Sequence, residues 1–185
     1  MSLSSQHRWL IFSVGVLVLG AAWIGLSVAP PGSTTQGGIP APQVGFLAPD
    51  FSLQNLEGKN ITLSDLRGQV VLVNLWASWC GPCRIEMPAM QQVYETYKDQ
   101  GFTIVAVNAT NQDSVTNALA FAEELNLTFP IVLDVDGEAS ANYNLRSLPS
   151  SFFVDKNGEI QEVVIGSMSE SLLRVRVEQL LEGGR

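Results

Sequence analysis

The chain is poor in the residues that build metal cages: 185 residues include two cysteines and one histidine. Two cysteines cannot supply the several bridges of a small disulfide-framed scaffold. The histidine, His7, lies far from Cys80 and Cys83 and before a long apolar stretch, so a four-ligand zinc site has no ligand set. Basic residues are scarce too, ten Lys and Arg against 18 Asp and Glu for a net charge of -8. Without clustered cations a phosphate backbone cannot be neutralised, which excludes nucleic acid as a partner. Charged residues of both signs make up only 15% while 46% are hydrophobic, so the chain folds around a generous core, enters a membrane, or does both. Its length suits one domain with an appendage.

The apolar excess is uneven. "WLIFSVGVLVLGAAWIGLSVA", Trp9 to Ala29, carries no charged residue over about 20 positions, the length one helix needs to cross a bilayer. Arg8 precedes it and the next basic residue is Lys59, so the charge bias places residues 1–8 in the cytoplasm and everything after Ala29 outside. "SVA" before Pro30 fits a signal-peptide end only loosely, and Pro30 is a poor context for cutting. The reading is an uncleaved signal-anchor over residues 9–29. "PPGSTTQGGIPAPQ", residues 30–43, then reads as a flexible linker, and one domain is expected over 44–185.

Inside that domain helical and extended patterns alternate. "FSLQNL" (Phe51 to Leu56) and "NITLSDL" (Asn60 to Leu66) flank Gly58 as a hairpin. "VVLVNLWA", Val70 to Ala77, is a strand buried on both faces. A helix is expected from Pro82 towards Gly101, a strand at Phe102 to Ala109, a helix from Ser114 to Leu125 and a strand at Pro130 to Val135. A short helix around Glu138 to Tyr143, strands at Ser151 to Asp155 and Glu159 to Gly166, and a helix from Ser169 to Leu181 complete an α/β layer structure with a mixed central sheet. "DVDGE" at Asp134 to Glu138 lacks the ligand spacing of a calcium loop and reads as a solvated turn.

The cysteines fall at the junction of a buried strand and a helix. Cys80 sits at a helix N-terminus, where unpaired N–H groups and the helix dipole favour a thiolate, and Cys83 lies one turn further in. Cys80 is the expected nucleophile and Cys83 the thiol that resolves its mixed disulfide. A structural staple across so small a loop would remove little chain entropy. A two-thiolate Cu(I) clamp stays open as an alternative.

The stretch "APDFSLQNLEGKNITLSDLRGQVVLVNLWASWCGPCRIEMP", with the later "LPSSFFVDKNGEI" and the apolar N-terminus, resembles the TlpA/ResA-like branch of membrane-anchored thiol-disulfide oxidoreductases in the thioredoxin superfamily. "APDFSL" alone also opens peroxiredoxins, but those peroxidases carry their attacking cysteine without a C-G-P-C pair. The resemblance covers the chain from about Val44 onward. It implies a thioredoxin-like fold with an N-terminal hairpin extension, and redox chemistry at Cys80 and Cys83 with no cofactor. Asn74 stands where cytosolic thioredoxins have a buried Asp, so a proton carrier must come from elsewhere or from water; Glu86, in C-x-x-C-x-x-E-x-P, is similar to the acid of that branch and is expected, next to Trp76, Trp79 and the apolar strand, to be partly buried with a raised pKa. Pro149 resembles the cis-proline facing the cysteine pair, with Leu148 offering backbone groups to a substrate; Trp79, Gly81 and Pro82 complete the expected substrate contacts. "LPSS" departs from the family, which usually has Thr after that Pro. Trp76 is expected packed and Trp79 partly exposed.

The resemblance implies a bacterial single-pass membrane protein, a monomer, with its domain on the outer side. It would reduce protein disulfides such as those of apocytochrome c or copper-site proteins and draw electrons from a membrane thiol reductase. A disulfide-forming oxidase and a Cu(I) chaperone are the alternatives.

Overall fold

The computed structural model describes residues 38–183. The expected anchor and most of the linker lie outside the described residues, among which no helix is long and apolar enough to cross a membrane. The described chain begins inside the linker segment, where Ala41 N–H donates to Leu47 C=O (3.0 Å). Ordered pairing therefore takes in residues just before Val44.

Two short strands, β1 (Ser52–Gln54) and β2 (Asn60–Thr62), pair antiparallel as the expected hairpin. Its second arm stops early: Leu63–Leu66 is a 3-10 turn, not strand. There Ser64 N–H turns to the Asp50 carboxylate (2.9 Å) and Leu63 is buried. The remaining elements are β3 (Val70–Trp76), α1 (Gly81–Tyr97), β4 (Phe102–Asn108), α2 (Val115–Glu124), β5 (Ile131–Leu133), α3 (Glu138–Asn142), β6 (Ser150–Val154), β7 (Ile160–Ile165) and α4 (Glu170–Gly183).

Five strands form one sheet in the order β5-β4-β3-β6-β7. The β3–β4 and β4–β5 pairs are parallel, and β3–β6 and β6–β7 antiparallel, which gives the expected mixed sheet. Every residue of β3 and β4 is buried, as their unbroken apolar runs require of central strands covered on both faces. Alternation divides the core. Leu72, Trp76, Ile104 and Phe153 pack with Met87, Met90 and Val93 of α1, Phe121 of α2 and Leu173 and Val177 of α4. Val71, Val73, Leu75, Val105 and Phe152 pack on the other side with Ala139, Tyr143, Phe51 and Leu63. The register sets Asn74 of β3 opposite Ser151 of β6, two polar residues at the centre of an apolar sheet.

Candidate active site

The turn from β3 into α1 carries the cysteines. Cys80 is the N-cap of α1 in extended backbone, and its Sγ accepts from Cys83 N–H (3.2 Å). Gly81 and Pro82 open the helix, where a missing proline N–H costs nothing because the first turn has no intrahelical acceptors. Cys80 and Cys83 are joined as a disulfide with Cα atoms 5.3 Å apart. Cys80 keeps 5% of its surface and Cys83 none, so the sulfur offered to a partner is that of Cys80. Its exposure is slight; beside it Trp79 is 61% exposed, while Trp76 is fully packed.

A carboxylate holds this turn from outside the motif. Asp113 accepts from Ser78 N–H and Ser78 Oγ–H (both 2.7 Å), from Asn108 Nδ2 (3.0 Å) and from Ser114 N–H (2.8 Å). Burial by itself would raise the Asp113 pKa; hydrogen bonds from Asn108, Ser78 and Ser114 outweigh it and hold the carboxyl below its usual value. Next to it Gln112 C=O accepts from Trp79 Nε1 (3.0 Å), fixing the indole over the pair's flank.

Behind the pair lies Glu86, one helical turn beyond Cys83 on the same face, and 1% exposed. It is fully buried, more so than its expected partial burial. Oε1 accepts from Asn74 Nδ2 (2.9 Å) and Oε2 from Met168 N–H (3.0 Å). Desolvation dominates these two bonds and pushes its pKa from 4.5 up to about 7. Asn74 Nδ2 also donates to Ser151 Oγ (2.8 Å), whereas Asn74 Oδ1 is buried with no hydrogen-bond partner among the described residues.

The Leu148–Pro149 peptide bond is cis. A groove of about 300 Å³ runs along the disulfide between Trp79, Gly81 and Pro82 on one side and Arg146, Ser147 and Leu148 on the other. Thus the structure brings together Cys80, Trp79, Gly81, Pro82 and Leu148 in one groove; Cys83, Glu86 and the expected contact Pro149 are buried and do not line it. Ser78, Asp113, Gln112, Ser151 and Arg146 were not singled out from sequence. Only Asp113–Ser114 carried a local signal, a capping pair just before a helix.

The arrangement is chemically a thiol pair that opens and closes: a helix N-terminus beneath a sulfur at the surface, a second sulfur within bonding distance, and a buried acid with a pKa near neutrality. Comparison with known proteins agrees. The AhpC/TSA family model matches residues 44–163. The thiol-disulfide oxidoreductase ResA of Geobacillus kaustophilus is 38% identical over 178 residues, 96% of this chain and 99% of that protein. The thioredoxin-like protein YneN of Bacillus subtilis is 37% identical over 172 residues, 92% and 97% of the two chains. Among solved structures, a thiol:disulfide interchange protein DsbE from Chlorobium tepidum is 34% identical with a TM-score of 0.68, covering 73% of this chain and 95% of its own. StoA from Bacillus subtilis is 32% identical with a TM-score of 0.61, covering 69% and 96%. These likenesses, with a C-G-P-C disulfide at the start of α1, make the chain a member of the AhpC/TSA family with a thioredoxin-like fold and, within it, one of the ResA-like thiol-disulfide oxidoreductases.

Proposed function

We propose that this thiol-disulfide oxidoreductase is a reductase of protein disulfides, tethered by residues 9–29 to the outer face of a bacterial cytoplasmic membrane. The observation that carries the direction is Glu86, buried one turn beyond Cys83. When ionised it disfavours a neighbouring thiolate, so the reduced pair is held in a destabilised state and passes its electrons on more readily. An oxidant of the DsbA kind is built the other way, with its reduced form stabilised. The anchor reading is supported by the uncharged run from Trp9 to Ala29 and by Arg8 before it.

In the forward reaction the Cys80 thiolate attacks one sulfur of a client disulfide; a Cys80–client bond forms, the client S–S bond breaks, and the departing client sulfur takes a proton. Cys83, deprotonated, then attacks Cys80 Sγ, and the second client sulfur leaves and is protonated. The client gains two electrons and two protons, and Cys80 and Cys83 end as the disulfide seen here. Glu86, with a pKa near 7, can take or give a proton at neutral pH during these steps. The groove along Trp79, Gly81, Pro82 and Leu148 receives the client chain, and Leu148 N–H and C=O, which have no hydrogen-bond partner among the described residues, can pair with an extended peptide. Client proteins of the apocytochrome c or copper-site kind, and a membrane thiol reductase as electron donor, fit this chemistry because both need dithiols kept reduced outside the cytoplasm.

Equilibration against a dithiothreitol or glutathione series tests the direction. A potential near the thioredoxin figure of about -270 mV fits a reductase, and one near the DsbA figure of about -120 mV makes the protein an oxidase. Stoichiometric retention of Cu(I) against a competing chelator, without peptide disulfide reduction, would instead mark a copper carrier.

A further inference from the structure

The groove beside the disulfide does not end at Leu148. It adjoins a second groove of about 370 Å³, and the two share Gln112, Leu145 and Arg146. Arg146 is the only charged residue lining either one. In a chain of net charge -8 that is an inversion of the general surface sign. Among the described residues the side chains of Lys59, Arg84, Lys98, Arg174 and Arg176 each have a carboxylate partner; Arg67, Arg146 and Lys156 have none, and of these three Arg146 alone lines the grooves. An exposed guanidinium without a carboxylate partner thus stands beside the disulfide in a trough with no other charged side chain, where an acidic group of a client can be paired.

We propose that Arg146 is a specificity-determining residue that selects client segments carrying a carboxylate side chain close to the cysteine under attack; this deepens the reading of the protein as a reductase of protein disulfides and rests on it. The guanidinium offers a planar fork of donors that matches a carboxylate in two parallel hydrogen bonds. Arg146 stands two residues before Leu148 in the chain, and an extended client paired at Leu148 advances about 3.3 Å per residue, so the carboxylate is placed two or three positions from the client cysteine. The same extended segment can continue into the second groove, which shares Gln112, Leu145 and Arg146 with the first. The net acidic surface repels acidic chains in general, and Arg146 favours the groove as the place where such a segment docks.

The test uses the full-length chain in mild detergent and disulfide-bonded peptides that are identical except for Glu, Gln or Lys two residues from the attacked cysteine. Redox-inert versions with Ser for Cys report binding alone, by isothermal titration, and the disulfide versions report the rate of reduction. Glu peptides should bind and react about fivefold better than Lys peptides, with Gln between, as a single partly exposed ion pair allows. Arg146→Glu should reverse that order and Arg146→Gln abolish it, and the preference should shrink as salt rises. Equal affinities for the three inert peptides, or an order that survives Arg146→Glu, overturn the inference even if all three disulfides are reduced at full rate. If the inert peptides keep the order while no disulfide is reduced, Arg146 is supported as an acidic-segment reader and the reductase reading fails instead.

Discussion

Glu86 Oε1 accepts from Asn74 Nδ2 at 2.9 Å across the interface of α1 and β3, which ties the centre of the sheet to the acid behind the cysteines, while Glu86 Oε2 accepts from Met168 N–H. Removing the Asn74 amide takes away a bond that favours the charged carboxylate, so Asn74→Ala should raise the Glu86 pKa above its value of about 7. A carbon-detected NMR titration of the oxidised protein reads this directly; a downward move would show that the amide is not holding the ionised form. Loss of the buried pair should also cost about 1–3 kcal/mol of stability.

Glu86 ties stability to pH, and the sign follows from its folded pKa being raised. The folded chain holds the proton more tightly than the unfolded one, so the contribution is full below about pH 4.5 and is lost as pH rises through about 7. The loss is on the order of 3 kcal/mol from the ratio of the two affinities. Glu86→Gln should therefore gain on the native protein between pH 5 and pH 8 in urea midpoints, each pH compared like with like. A difference that stays flat across that range would mean that the carboxyl titrates normally.

In the reduced protein the same substitution removes a negative charge near the thiols. The alkylation-rate profile of Cys80 should then shift to lower pH by somewhat under one unit, as a partly screened repulsion on the order of 1 kcal/mol allows. Steps that deliver a proton to a leaving sulfur should slow. An unchanged profile with unchanged activity assigns proton transfer to water.

The two sulfurs should divide their labour by exposure. Cys83→Ser should accumulate mixed disulfides through Cys80, visible as client-sized adducts that vanish with dithiothreitol, because the buried Cys83 is the thiol that would have resolved them. Adducts on the Cys80→Ser variant in its place would reverse the assignment.

Asp113 carries the active-site turn on four hydrogen bonds, and its lowered pKa makes that support present above its unfolded value of 3.8 and lost as pH falls below it. Asp113→Ala should cost about 1.5–3 kcal/mol, the scale of hydrogen bonds to a charged, half-buried acceptor, and should slow client exchange by loosening Ser78 and the Trp79 anchor. Intact exchange kinetics in a destabilised variant would confine Asp113 to folding.

Much of this protein is written in short-range pattern. The apolar run from Val70 to Trp76 could only be a strand covered on both faces, and Gly81-Pro82 after Cys80 could only open a helix, because these signals depend on residues within a turn or two of each other. The thiol pair and the direction of its attack follow from that local geometry. The second arm of the hairpin was read too long because its end at Thr62 is decided by Asp50, fourteen residues away from Ser64. The state of Glu86 was decided further off still: its burial and pKa come from Asn74 on β3 and from Met168, 82 residues along the chain. Asp113 reaches Ser78 across 35 residues, and Arg146 joins the cysteines' groove from the segment before β6. Periodicity and caps are properties of neighbouring residues, whereas desolvation and electrostatic pairing are properties of whatever the fold brings alongside, and only the tertiary structure settles those.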